Sequence, residues 1–426
     1  MRPAGGGGGD GLPSPQVAHA LWLDSLAWAG WTAEGTTEQV RVADALGRVT
    51  AKPVVARWPS PRCDCSAMDG IAVSSFAVIA AAARRADLAA PAGVGLPADA
   101  FEWIDTGDPM PDGADTVVMR ERLQVKEDGS VAIAGSTDAA MVTPGKHVRR
   151  AGEDFAAGEV LVPAGRRLRP GDLAAAAAGG HGSVAVARLP VVAIIPTGDE
   201  IRPAGSVLRR GEIVDTNSLM LAARCRELGA LPMVSDVQPD DPDVLVAEIR
   251  QVALSADLVL VIAGSSRGRD DHTGAVLAQV GGVAVTGVAV RPGHPALLGH
   301  VKRPSAGWSG IAPVIGLPGY PLATAVIFEL FAAPLLAALG GVAESVRPTL
   351  LATLDRDWTS SPGVEEWTLV TLAESPDWSR PVATPARRGA GSISQLARAD
   401  AWWRVHADQV GFAAGATIEV IPLTPR

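Results

Sequence analysis

The stretch Val191-Val192-Ala193-Ile194-Ile195-Pro196-Thr197-Gly198-Asp199-Glu200 decides the fold. Its first five residues are apolar, mostly β-branched and do not alternate, which is the form of a short strand covered on both faces. The strand ends in a turn sequence that carries a hydroxyl, a glycine and two carboxylates. The same unit recurs downstream. Asp257 to Ile262 is a second apolar run, leading into Gly264-Ser265-Ser266-Arg267-Gly268 and a helix expected to start near Asp271. Ala312 to Ile315 is a third, leading into Gly316-Leu317-Pro318-Gly319-Tyr320-Pro321 and a long apolar helix. After Asp215-Thr216-Asn217, residues Leu221, Cys225 and Leu228 fall at helical spacing and Gly229 ends the segment as a C′ glycine does. Strand, glycine loop and helix in repetition predict a doubly wound α/β domain over residues 188–345.

Outward from that domain the pattern changes to short extended segments. Residues 1–16 are rich in Gly and Pro and lack the apolar core of a signal peptide, so they read as a disordered lead-in. Val17 to Trp31 is helix-permissive, and Val42 to Leu46 ends at Gly47 like a short capped helix. Residues 17–61 and 150–187 are assigned to one N-terminal domain, interrupted by a β-rich insertion at 62–149. Within the insertion, Asp128-Gly129 sits between two extended pieces of Val125 to Ile133 and predicts a hairpin, while Ala77 to Ala90 is ambiguous. Residues 346–426 read as a second β domain, closed by the alternating Thr417-Ile418-Glu419-Val420.

Composition bounds the function. The 426 residues carry 37 Lys and Arg against 46 Asp and Glu, a formal net charge of -9, so neither nucleic acid nor an anionic membrane is an expected partner. The most apolar stretch, Pro321 to Leu339, contains Glu329 and Pro334 and is short for a membrane span, so it is expected to be a buried helix. Three cysteines, Cys63, Cys65 and Cys225, make neither a disulfide framework nor a zinc site and fit a cytoplasmic protein, with Cys225 as a core thiol.

In a doubly wound sheet, ligands bind beyond the carboxyl ends of the parallel strands. The three glycine-bearing loops there offer backbone N–H groups and helix N-termini suited to phosphate oxygens, although the same glycines equally serve as plain punctuation. None has the spacing of the dinucleotide or Walker A fingerprints. Acids recur in glycine-containing turns: Asp69 in Ser66-Ala67-Met68-Asp69-Gly70, Asp154 in Gly152-Glu153-Asp154, then Glu200, Asp215 and Asp271. Carboxylates beside a phosphate site require a cation between them, the usual arrangement for Mg²⁺. Taken singly, Asp215 and Asp271 also fit helix caps, and Asp69 a turn residue.

Seven motifs in order resemble the molybdopterin molybdenumtransferase family, the bacterial molybdenum-insertion enzymes similar to the C-terminal domain of gephyrin. They are Ser66-Ala67-Met68-Asp69-Gly70, Thr106-Gly107-Asp108-Pro109, Gly113-Ala114-Asp115-Thr116-Val117-Val118-Met119, Gly152-Glu153-Asp154, Thr197-Gly198-Asp199-Glu200, Asp215-Thr216-Asn217 and Gly316-Leu317-Pro318-Gly319-Tyr320-Pro321. The resemblance runs from about residue 18 to the C-terminus. It implies an elongated homodimer, a molybdopterin-binding α/β domain and a β-barrel-like C-terminal domain. It further implies Mg²⁺-dependent hydrolysis of adenylylated molybdopterin, release of AMP and insertion of molybdate at the dithiolene. Carried over by motif, Asp69, Asp154, Glu200, Asp215 and Asp271 are the catalytic acids, with Glu200 and Asp271 as metal ligands and Asp69 and Asp154 approaching from the partner subunit. Substrate contacts are assigned to Thr106, Thr197, Gly198, Asp199, Gly264, Ser265, Ser266, Arg291, His294, Pro318, Pro321 and Ser392. A molybdoenzyme or another protein of the cofactor pathway is an implied partner.

The departures concentrate on cations that would hold the oxyanion. Arg291-Pro292-Gly293-His294-Pro295 stands where the family has Lys-Pro-Gly-Lys-Pro, and a histidine is mostly neutral at pH 7. Arg267 and Arg269 are candidates to supply the anion contacts instead. Gly363-Val364-Glu365-Glu366-Trp367-Thr368-Leu369 lacks both arginines of the corresponding family pattern, whereas Arg388-Gly389-Ala390-Gly391-Ser392 and Ser394 keep a hydroxyl-bearing loop. Tyr320, the one tyrosine of the chain, replaces the more usual Asn and is associated with archaeal-type members. Alternative readings are a non-catalytic molybdopterin-binding paralogue or dimeric scaffold, and a tungstate-specific insertase.

Overall fold

A computed structural model describes residues 11–33, 35–85, 94–133, 142–263, 273–303, 310–342, 348–375 and 380–423. The chain divides into two compact units, one of Glu38–Val186 and one of Met1–Thr37 with Ala187–Arg426.

The larger unit is built on the expected sheet. Its elements are α1 (Pro15–Trp28), β1 (Val191–Pro196), α2 (Asn217–Glu227), β2 (Leu231–Val234), α3 (Pro242–Val252), β3 (Leu258–Ala263), α4 (Thr273–Val280), β4 (Gly281–Thr286), β5 (Leu297–Lys302) and β6 (Ile311–Pro318). Strand order is β2-β1-β3-β6-β5-β4. The first four run parallel, and β5 and β4 close the far edge antiparallel. Register sets Pro196 beside Ile262 and Ile262 beside Leu317, so three strands deliver their carboxyl ends at one level.

The continuous apolar runs have the reason anticipated for them. Val192, Ile194, Leu258 and Leu260 face one core with Leu221 and Cys225 of α2, while Ala193, Ile195, Val259 and Val261 face another with Ile249 and Leu277. A polar residue in either set would be buried without a partner. Pro321–Leu339 is apolar enough to pass for a membrane span by length and composition, with a mean hydropathy of 2.1, yet 72% of that window is buried inside the protein. Phe328 and Phe331 pack in the first core, and Glu329 meets Arg224 at 2.7 Å. The segment changes from α to π geometry at Phe328–Ala332, just before Pro334, which has no N–H to continue the ladder.

The N-terminal helix differs from expectation in both start and allegiance. It begins at Pro15, capped by Ser14, and the Pro13 carbonyl accepts a hydrogen bond from Ala289 at 2.8 Å, so residues 11–16 are built into the fold. Ala18, Trp22 and Leu26 join the core of the α/β sheet, and the Trp22 indole donates to Gly299 O at 2.8 Å. Apolar burial of Trp22 thus ties α1 to the larger unit, and residues 38–61 belong to the smaller one.

The C-terminal strands close on themselves. In the order Glu365–Ala373, Val382–Pro385, Leu350–Leu354, Thr417–Pro422, Ala401–Val405, each pairs with the next, and the last pairs again with the first. That is a five-stranded barrel with no free edge among these strands. Trp403 fills its interior, while Trp367 and Trp402 face the α/β core, so barrel and sheet share apolar packing.

The smaller unit has separate cores for its outer and inserted parts, one around Val54, Val162 and Val186 and one around Ile71, Val118 and Val131. Cys65–Ser66 pairs with Val148–Arg149, so the insertion is closed at its own base. The Asp128-Gly129 hairpin forms between Leu123–Val125 and Val131–Ile133, with Gly129 at φ +80°. The ambiguous alanine-rich segment is helical over Ser75–Arg85, and its continuation lies outside the described residues. Gly70 must be glycine because a Cβ there would stand 2.0 Å from Val118 O.

Candidate functional site

Where β1, β3 and β6 end, the larger unit has a cleft of about 590 Å³. This is in the range of small-molecule sites. Its walls carry Thr197, Glu200, Asp215, Asn217 and Tyr320 among apolar residues such as Ile213 and Ile262, with Gly391 and Ile393 contributed by the barrel side.

Each polar group is set by a local feature. Thr197 donates from both its backbone N and its hydroxyl to Ile262 O, at 3.0 Å each, fastening the end of β1 to that of β3. Gly198 has φ +137°, and a Cβ there would lie 2.7 Å from Ile201 Cγ1 and 3.0 Å from Glu200 Oε2. Only glycine lets the Glu200 carboxylate fold back over this turn. Ile201–Arg202 then pairs in parallel with Ile213–Val214, bringing Glu200 and Asp215 to the same cleft. Arg202 is held by Glu212 at 2.8 Å.

Asp215 Oδ1 accepts from Ser218 N at 3.0 Å and so caps α2. The cap reading and the site reading are therefore both true of this residue. Asn217 donates from Nδ2 to Gly319 O at 2.7 Å, which fixes its amide orientation; its Oδ1 is buried and has no hydrogen-bond partner among the described residues. On the opposite side, Thr324 Oγ1 donates to Pro318 O and to Tyr320 O, fixing the Gly319-Tyr320-Pro321 turn. Leu322 N donates to Ala390 O at 3.0 Å, which brings the loop before Gly391 onto the same turn.

Of the residues singled out from sequence, Thr197, Glu200, Asp215 and Pro321 line the cleft. Gly198, Asp199 and Pro318 belong to its turns without lining it among the described residues, and Ser392 sits between two lining residues with its hydroxyl 3.3 Å from that of Ser394. Gly264, Ser265, Ser266, Arg267, Arg269 and Asp271 lie outside the described residues. Arg291 and His294 are exposed and do not line the cleft; Arg291 donates to Ser361 Oγ at 3.1 Å, and the His294 carbonyl accepts from Val288 N.

Asp69, Thr106 and Asp154 belong to the smaller unit. Asp69 Oδ1 accepts from both the hydroxyl and the backbone N of Thr106, at 2.7 Å each, and these bonds hold its carboxyl below the usual range. The two motifs that contain these residues thus form one local device. Asp154 is exposed, and its N donates to Ser60 O at 2.9 Å. Among the described residues there is no cluster of three or more His, Cys, Asp or Glu side chains poised around a metal.

In the barrel, the two acids of the Gly363–Leu369 segment, which has Val364 and Leu369 where arginines were expected, are structural. Glu365 pairs with Arg404 and Glu366 with Arg388, each at 2.7 Å, with the carboxylates almost fully buried. Arg388 also lies 4.3 Å above the Trp358 ring, so the guanidinium of the retained loop is already committed to barrel residues.

Comparison with known proteins places this architecture. Family models described as the MoeA N-terminal region (domain I and II), a probable molybdopterin binding domain and the MoeA C-terminal region (domain IV) match residues 15–180, 193–338 and 352–423. Molybdopterin molybdenumtransferase 2 of Mycobacterium tuberculosis is 32% identical over 401 residues, covering 90% of this chain and 95% of its own. The chain belongs to the molybdopterin molybdenumtransferase family. It is accordingly a transferase of molybdenum cofactor biosynthesis. A molybdopterin molybdenumtransferase of Nostoc sp. is 34% identical over 342 residues, 78% of this chain and 76% of the relative. The structure of the MoeA molybdopterin biosynthesis protein of Pyrococcus horikoshii matches with a TM-score of 0.78 at 27% identity, covering 97% of this chain and 100% of that one. The cleft lies within the segment matched by the molybdopterin-binding model, apart from Gly391 and Ile393.

Sequence reasoning passed over Asn217 and Tyr320 as site residues. Both were legible as oddities: an amide immediately inside a helix start, and a lone tyrosine in a glycine-proline loop.

Proposed function

We propose that this transferase takes adenylylated molybdopterin, hydrolyses its phosphoanhydride in a Mg²⁺-dependent step with release of AMP, and inserts molybdate at the dithiolene. The observation that carries the reading is the cleft at the carboxyl end of the sheet, with Glu200 and Asp215 together on an otherwise largely apolar wall. Mg²⁺ takes one or two carboxylates and leaves its other positions to water and phosphate oxygens, and these two residues fit that donor set. Glu200 and Asp215 would hold it, joined by Asp271 on the strength of the family resemblance. When bound, the ion neutralises charge on the phosphate oxygens.

The protein's own residues bind and orient. Asp215 is the fixed carboxylate, tied through Oδ1 to the start of α2, and Glu200 is the exposed one, free to meet the phosphates. Molybdate contacts fall outside the barrel interior, because Arg388 and Arg404 are already matched by buried carboxylates; Arg291 and His294 are the cations assigned to it here. The protein is taken to act in the cytoplasm as a homodimer, with Asp69 and Asp154 of one subunit approaching the cleft of the other, and to pass its product to a molybdoenzyme.

Purified protein given adenylylated molybdopterin, Mg²⁺ and molybdate is expected to release AMP, and omitting Mg²⁺ to stop the release. Binding of the substrate without any AMP, under conditions where a family member turns over, would refute the hydrolytic step.

A further inference from the structure

We infer that Tyr320 is a stacking platform for a flat heteroaromatic ring of the substrate, with Asn217 reading an N–H donor on the edge of that ring. This rests on the cleft being the substrate site.

A tyrosine ring of this kind is usually found packed. Here it is 61% exposed although it lines a concave site. The residue precedes Pro321 at the start of the long helix, its carbonyl held by Thr324 at 3.0 Å. A Cβ at Gly391 would come to 3.5 Å from Cδ1 of the Tyr320 ring, so the barrel loop runs beside the ring and a side chain there would crowd it. An exposed ring on a backbone held in place, with a side-chain-free glycine loop beside it, is a stacking surface, and its stacking loses little side-chain freedom.

The second observation is independent. Asn217 is 7% exposed, its Nδ2 is spent on Gly319, the residue before Tyr320, and its Oδ1 is buried without a partner among the described residues. A buried carbonyl oxygen left unpaired is costly, and a ligand N–H satisfies it. Both the pterin bicycle and the adenine of an adenylylated pterin are flat rings with amino donors at their edges. The chemistry they share is therefore what Tyr320 and Asn217 recognise, and the test separates the two.

The chain has one tyrosine, so incorporation of 3-fluorotyrosine labels this position alone. Titration of the labelled full-length protein with AMP and, separately, with molybdopterin is expected to shift the fluorine signal in one arm, which identifies the ring. Tyr320→Ala should weaken that ligand by roughly five- to hundredfold, as loss of a base–aromatic stack does, while Tyr320→Phe stays near wild type. Asn217→Ala, shown to fold by circular dichroism, should also bind that ligand more weakly in calorimetry, and unchanged affinity would remove the edge contact. If a ligand binds in calorimetry with no fluorine shift and unchanged affinity in Tyr320→Ala, the platform is wrong and the cleft assignment survives. If neither ligand binds the wild-type protein, both fall together.

Discussion

The cleft and the barrel of the larger unit handle carboxylates in opposite ways. The barrel buries Glu365 and Glu366 to 3% and 5% exposure and gives each an arginine at 2.7 Å. The cleft leaves Glu200 exposed, spends one oxygen of Asp215 on a helix cap, and leaves Asn217 Oδ1 without a partner among the described residues. Charge that is matched from within serves stability; charge and polarity left unmatched in a concave place await a ligand. Substitutions in the two regions should therefore separate cleanly into loss of activity and loss of stability.

The largest effect is expected at Glu200. Glu200→Gln keeps the shape of the turn and removes the charge, so AMP release should fall by about a hundredfold, while thermal stability changes little because the side chain is exposed. A stability loss equal to that of a core variant, with AMP release intact, would break the comparison at its strongest point.

Arg388→Met should do the reverse. It strands Glu366, and removing one partner of a buried pair costs about 3–5 kcal/mol. The Arg388 side chain is 49% exposed, so solvent softens the loss to about 2 kcal/mol. Denaturant unfolding of the purified variant measures it, and the double variant Arg388→Met with Glu366→Leu should recover part of the loss. The pair also sets a pH dependence. Burial pushes the Glu366 carboxyl up, but the Arg388 hydrogen bond and charge outweigh it and leave the group below its ordinary 4.5. Its stabilisation is complete above that value and disappears as pH falls through the lower folded-state value, so the stability gap between wild type and Glu366→Gln should narrow only below about pH 4.5.

Gly198→Ala is intermediate in character and smaller in effect. The added Cβ meets Ile201 at 2.7 Å and Glu200 Oε2 at 3.0 Å on a backbone at φ +137°. The carboxylate must move, so AMP release should drop about tenfold with roughly 1–2 kcal/mol of strain. A larger loss of stability than of rate would mean that this turn is barrel-like, made for structure and not for the site.

Much of this was legible in the sequence, for reasons that differ by element. The β1 run Val191–Ile195 announces burial on both faces because nothing in it alternates, and the structure divides Val192 to Ile195 between two cores. Asp128-Gly129 announces a hairpin because few other pairs tolerate the turn. The place of α1 was not legible: a helix carrying Trp22 shows that it needs a core but not which one. Nor was the fate of Glu365 and Glu366, since their partners Arg404 and Arg388 are brought close only by barrel closure. For the site, local spacing identified Glu200 and Asp215 separately, and the parallel pairing of Ile201–Arg202 with Ile213–Val214 is what joins them.

The smallest expected effect tests the two ends of one helix. At its start, α2 gives Asp215 and Asn217 to the cleft; eight residues after Asn217, Cys225 is fully buried in the sheet core. Burial pushes the Cys225 thiol up to about 12, so at pH 8 almost none of it is thiolate and none is reachable. Cys65 is buried as well, and Cys63 is exposed. A thiol-reactive dye on the native protein should therefore label one cysteine quickly, and Cys63→Ser should abolish that fast phase without altering AMP release. A fast phase that survives Cys63→Ser and vanishes in Cys225→Ala would show that the core end of α2 opens readily, and the cleft end, anchored on the same helix, would then not be the rigid wall that the hydrogen bonds of Asp215 and Asn217 require.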